Sequence, residues 1–85
     1  MRYFIGTITD LLGEYEFATK VRFKTEGDPE AKLNDIAQSW RLEDAEFDDF
    51  MKAYDHGDGL YTEPTHYLEI SQELYETLGG IITEL

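Results

Sequence analysis

From Glu14 to Thr25, polar and apolar positions alternate almost without a break. Tyr15, Phe17, Thr19, Val21 and Phe23 fall on one side, and Glu14, Glu16, Ala18, Lys20, Arg22 and Lys24 on the other. In an extended chain successive side chains point to opposite faces, so this period of two predicts a half-buried strand with one wet face. Tyr3 to Thr9 is rich in aromatic and β-branched residues and predicts a second strand. Asp10–Gly13 supplies turn residues between the two, and an antiparallel hairpin is expected.

The period then changes. Gly27-Asp28-Pro29 opens a helix, because Asp28 can cap free N–H groups and proline suits the first helical position. Leu33, Ile36, Ala37 and Trp40 follow at helical spacing and form a core-facing stripe. Phe47, Phe50, Met51 and Tyr54 repeat that spacing and predict a second helix over Glu43–Tyr54, followed by an Asp55–Gly59 loop. Leu60–Thr62 and Thr65–Ile70 are expected to be extended, with Pro64 at a bulge, edge or turn. Ser71 caps a third helix from Gln72 to Leu78, stopped by Gly79-Gly80. Residues 81–85 fit either a continued helix or a short strand.

These elements predict an α+β fold: a small antiparallel sheet, built from the N-terminal β-hairpin plus one or two later strands, with two or three helices packed on one face. The expected core is Tyr15, Phe17, Val21, Phe23, Leu33, Ile36, Trp40, Phe47, Phe50 and Leu74. At 85 residues the chain makes one domain. A domain of that size buries about 60–65% of its unfolded surface, so the core is thin. The 12 aromatic residues compensate in part and argue against disorder.

Charge adds the main functional signal. Residues 42–85 hold 12 acids and the single base Lys52, whereas residues 1–41 hold 7 acids and 6 bases. Nearly all of the net −12 therefore belongs to the C-terminal half. Such a surface repels nucleic acid and attracts basic protein surfaces. On the expected Glu43–Tyr54 helix, Asp44 and Asp48 flank one side of the apolar stripe and Glu46 and Asp49 the other. Helical neighbours lie about 5–6 Å apart, and each DNA strand presents a phosphate about every 3.4 Å of axis. A helix edged with carboxylates can thus imitate part of a phosphate path. Halophilic adaptation is an alternative source of acidity, but it usually brings abundant Val and Ala, and this chain has 1 Val and 5 Ala. Maintenance of solubility is another.

Other chemistry is sparse. The absence of cysteine rules out a disulfide framework and thiolate catalysis. There is no leader-like N-terminal run and no stretch near the roughly 20 apolar residues of a membrane span, and a cytoplasmic location is expected. Ser39 and Ser71 sit in helix and cap positions without a nucleophile elbow, so no enzyme activity, catalytic residue or cofactor is expected. Asp55, His56, Asp58, Glu63 and His66 form the one metal-like cluster, but its spacing matches neither an EF-hand nor a zinc hydrolase, and no metal ligand is assigned. Lys20, Arg22 and Lys24 form a basic stripe, expected to pair with Glu14, Glu16 or helix acids on the wet face.

The small size, acid-rich aromatic composition and α+β pattern resemble the phage and mobile-element inhibitors called anti-CRISPR and antirestriction proteins. Tyr3-Phe4-Ile5-Gly6-Thr7 is similar to the first strand of antirestriction DNA mimics. The resemblance covers class features and that short segment. Antirestriction proteins are longer, and no functional residue is carried over. It implies a non-enzymatic inhibitor that occupies the basic surface of a nucleic-acid-binding protein without itself binding nucleic acid or membrane. The expected docking residues are Asp44, Glu46, Asp48, Asp49, Asp55 and Asp58, with Tyr61 and Tyr67 as aromatic grip. The alternatives are a small accessory domain whose acidity serves solubility, and a weak divalent-metal binder or small metal-dependent enzyme.

Overall fold

The computed structural model describes residues 1–41, 45–80 and 82–84. Its centre is a six-stranded sheet in the order β3-β4-β5-β1-β2-β6. The strands are β1 (Arg2–Leu12), β2 (Tyr15–Thr25), β3 (Glu46–Asp48), β4 (Ala53–Asp55), β5 (Leu60–Ile70) and β6 (Thr83–Glu84). The described residues form two short helices, α1 (Pro29–Gln38) and α2 (Gln72–Thr77), the second continued by a 3-10 turn at Leu78–Gly80.

The hairpin forms as its alternation dictates, but Asp10 is not in the turn. β1 and β2 pair from Arg2–Thr25 to Leu12–Tyr15, and the reversal is made by Gly13 and Glu14. Gly13 has φ 59, the glycine-first geometry that matches the twist of a tight hairpin. β5 pairs antiparallel with the other side of β1, with a bulge opposite Thr7/Ile8 that accommodates Pro64.

Directly paired residues share a face, so the register sorts the side chains. Phe4, Gly6, Ile8 and Asp10 lie on one face with Val21, Phe23 and Thr62. Helix α1 covers this α1 face. Asp28 caps the helix by accepting from Glu30 N, and Leu33, Ile36 and Ala37 are buried. They join Phe4, Ile8, Val21 and Phe23 in one core cluster, flanked by Trp40 and Tyr54. Burial raises the pKa of the Tyr54 phenol, whose hydroxyl donates to Asn34 Oδ1 of α1. Gly6 sits under Leu33: a Cβ there would lie 2.7 Å from Leu33 Cδ1 and 3.0 Å from Phe23 Cε1. Gly6→Val is therefore expected to destabilise the fold by about 1–3 kcal/mol through overpacking. A shift in the urea midpoint at constant slope is the check.

The opposite face carries Tyr3, Ile5, Thr7, Lys20 and Arg22. Helix α2 packs here, its Tyr75 ring 5.0 Å from that of Tyr3. The helices thus lie on opposite faces of a dominant sheet, which corrects the expected two or three helices on one face of a small sheet. The expected Glu43–Tyr54 helix does not form over its described residues. Residues 46–55 instead form the β3–β4 hairpin. Asp48 Oδ1 accepts from the N–H groups of Phe50 and Met51, fixing the turn. Lys52 adopts φ 58, which no helix permits. Phe47 and Tyr54, seven positions apart, meet as a cross-strand pair with ring centroids 5.3 Å apart. The spacing that suggested a helical stripe fits a short hairpin equally well, and pairing with the edge of β5 decides between them.

The core changes accordingly. Phe50 is 92% exposed at the β3–β4 turn, and Phe47 and Leu74 are largely exposed. Tyr15 and Phe17 lie beyond the reach of α1, 68% and 58% exposed. Phe4, Ile8 and Tyr75 are buried in their stead. The basic stripe is also not paired as expected: Lys20 donates to Thr7 Oγ1 and Arg22 to the carbonyls of Tyr75 and Ile82. Among the described residues no helix is long and apolar enough to cross a membrane.

Candidate interaction surface

Cross-strand register assembles an acidic patch on the α2 face, at the end nearest the β1–β2 turn. Glu46 lies opposite Asp55, Asp55 opposite Tyr61, Tyr61 opposite Leu11, and Leu11 opposite Glu16. These residues form one row across five strands. The next row adds Glu63, opposite Thr9, and Ala18. Neighbouring strands lie about 4.8 Å apart and same-face residues of one strand about 7 Å. Four carboxylates therefore surround a half-buried Tyr61 and Leu11, with no basic side chain in either row. Glu46 and Asp55 are like charges placed directly opposite, an arrangement that costs stability. Further along the same face the sign changes, with His66, Thr7 and Lys20 in one row and Arg22 beyond.

The expected docking residues are divided by this geometry. Glu46 and Asp55 belong to the patch, with Tyr61 on β5 directly beside Asp55. Asp48 shares their face, but its carboxylate is engaged by the turn N–H groups. Asp55 also accepts from Gly57 N, so it fixes the following loop as well as contributing charge. Asp49 is exposed in the β3–β4 turn, and Asp58 lies in the β4–β5 loop beside Leu12, Gly13, Glu14 and Tyr15. Tyr67 is on the α1 face, edge-on to Phe4, and cannot act with Tyr61. Asp44 lies outside the described residues. Glu16, Glu63 and Leu11 were not expected in the patch. The alternation already put Glu16 on the wet face, but only the register brings it level with Asp55.

The α1 face carries a second feature. A cleft of about 510 Å3 is lined by Asp10, Thr19, Ile36, Ser39, Trp40 and Arg41 among others. Asp10 is 3% exposed, and its carboxylate accepts from Arg41 Nη2 at 2.9 Å, Trp40 Nε1 and Thr62 Oγ1. These bonds occupy both oxygens and hold the α1 exit onto β1. At the far end of this face Arg2 binds Glu69 at 2.9 Å, and the guanidinium holds the exposed carboxyl of Glu69 below its ordinary range.

Metal-like residues do not converge: among the described residues no group of three or more His, Cys, Asp or Glu could hold an ion. His56 is 6% exposed, and among the described residues neither ring nitrogen has a hydrogen-bond partner. Comparison with family models, curated proteins and solved structures yields no match.

Proposed function

We propose that this chain is a non-enzymatic acidic interaction protein that docks on the basic groove of a nucleic-acid-binding protein, as an inhibitor that imitates nucleic acid. The observation that carries the proposal is the row Glu46–Asp55–Tyr61–Leu11–Glu16, backed by Glu63. It combines carboxylates at fixed spacing with an aromatic and an aliphatic contact at its centre. The like-charge pair in β3–β4 is stabilised by opposite charge on a partner and by nothing within its own row. Sheet spacing replaces the helical path expected from sequence. The charge speeds association and makes it salt-sensitive.

The test is affinity capture from a lysate of the source organism, with elution by salt and, separately, by duplex DNA. Recovery of one nucleic-acid-binding protein displaced by both eluants is expected. The triple variant Glu16→Lys, Glu46→Lys, Asp55→Lys, altered only at exposed positions, is expected to bind that protein at least about tenfold more weakly, about 1.4 kcal/mol. Its thermal unfolding should remain cooperative. Equal affinity of native and triple variant, or a partner indifferent to DNA, would overturn the proposal.

A further inference from the structure

β2 is paired with β1 along its whole length, but on its outer side β6 covers only Val21 and Arg22. Among the described residues nothing pairs with the outer side of Tyr15–Lys20, and all six are exposed. Natural sheets blunt such an edge with charged side chains, proline, a bulge or a covering loop, and here the charges, Glu16 and Lys20, are of opposite sign and so admit a partner edge that pairs them. This stretch has no proline and pairs with β1 without a register shift. It also carries Tyr15 and Phe17, whose rings lie 6.5 Å apart on the α1 face with the helix too short to cover them.

We propose that this edge pairs antiparallel with the same edge of a second copy of the chain, forming a two-fold dimer with a continuous sheet. The free stretch runs from Glu14 to the start of β6, and its centre is Phe17. Pairing about Phe17 sets it opposite Phe17 of the second copy, Tyr15 opposite Thr19, Glu16 opposite Ala18 and Glu14 opposite Lys20. The match ends before Val21, so β6 stays in place. A register centred on Ala18 would drive Tyr15 of the second copy into β6.

Charge selects this occupant. Lys20 Nζ already donates to Thr7 Oγ1, and two further N–H groups remain for Glu14 opposite and Glu16 diagonally across. Both copies contribute these contacts, so the interface is self-complementary. It also lies in the near-neutral N-terminal half of the chain. The acidic β3–β4 hairpin is at the other end of the sheet. β3 lies four strand spacings from β2, about 19 Å, and charge is screened over about 8 Å at physiological salt. The dimer therefore joins two edges of mixed charge, Glu16 of the acidic row among them, and leaves the acidic β3–β4 hairpins outermost. On the α1 face, Tyr15 of the second copy meets Thr19, which lines the 510 Å3 cleft with Ile36 and Trp40. The cleft gives that ring a socket.

This dimer does not depend on acidic docking, and substitution separates the two: Phe17→Lys and the exchange of Lys20 with Glu14 leave Glu46, Asp55 and Glu63 of the acidic patch in place. Sedimentation velocity of the full chain across a concentration series is expected to show a monomer–dimer equilibrium. Phe17→Lys places like charges on the axis and is expected to weaken it by about tenfold or more. Lys20→Glu is expected to weaken it several-fold, and adding Glu14→Lys to restore it, with circular dichroism unchanged throughout. A monomer at all concentrations up to millimolar, or a dimer indifferent to Phe17→Lys and to the charge swap, would overturn the proposal. So would an edge that binds only a foreign peptide.

Discussion

Phe23→Ala is expected to destabilise the fold by about 3–5 kcal/mol. Phe23 is fully buried between β2 and α1, and its ring stacks on Phe4 with centroids 5.3 Å apart. It also packs beside the close Gly6–Leu33 contact, 3.0 Å from where a Gly6 Cβ would lie. Global stability at typical values of about 0.05–0.15 kcal/mol per residue amounts to about 4–13 kcal/mol for a chain of this length. The substitution thus removes a large share and can unfold the domain outright. Phe50→Ala is the matched control. Phe50 is 92% exposed, and its truncation is expected to change stability by less than about 0.5 kcal/mol. Urea titration followed by tryptophan fluorescence reads both, because Trp40 flanks the core. Equal costs for the two phenylalanines would contradict the described packing.

That contrast shows where the sequence was legible. Phe23 and Phe50 both fall on regular apolar patterns, and both were expected in the core. Phe23 lies in an alternation long enough to exclude a helix, and α1 is announced by its cap, its proline and its stripe. β5, α2 and the bulge at Pro64 were likewise readable from local signals. The segment 45–55 was not. Phe47, Phe50, Met51 and Tyr54 satisfy a helical period, while the decisive factors are the turn bonds of Asp48, the positive φ of Lys52 and pairing with β5. The first two are local but a lysine does not announce a positive φ, and the third is not local. The same limit applies to the acidic patch: its charge was evident, but Glu46, Asp55, Glu16 and Glu63 come from four strands, and their proximity is a property of register. The exposure of Tyr15 and Phe17 depends on where α1 ends over the sheet, which alternation cannot reveal.

The two proposed surfaces use different parts of this division. The C-terminal half contributes β3, β4 and β5 and with them most of the field, whereas the N-terminal half contributes the bare edge of β2. A dimer joined through β2 presents the Glu46, Asp55 and Glu63 carboxylates of two acidic patches toward separate ends of one sheet, with Glu16 of each drawn into the join. A partner with two basic sites then gains from avidity as well as from contact.

Arg22→Ala is expected to release the C-terminal segment at a cost of about 3 kcal/mol, since each hydrogen bond to a charged group contributes about 1.5–3 kcal/mol. Arg22 Nη1 donates to Tyr75 O at 2.9 Å and Nε to Ile82 O at 3.1 Å, and the guanidinium lies 4.6 Å from the centre of the Tyr75 ring. One planar fork thus ties β2 to α2 and to the chain entering β6. Gly79 allows the close approach, because a Cβ there would lie 3.1 Å from Nη2. Lysine offers a compact point charge and cannot span both carbonyls while stacking on the ring. Arg22→Lys is therefore expected to recover less than half of the loss. Hydrogen exchange should show faster exchange at Leu74–Gly80 and little change in β1, β4 and β5, because those strands pair independently of Arg22. In the register centred on Phe17, Val21 would face Gly13 of the hairpin turn, so release of β6 is expected to leave dimerisation unchanged. Protection lost evenly over the whole sheet, or a lysine variant as stable as the native chain, would show that Arg22 is not the clasp of the C-terminal segment.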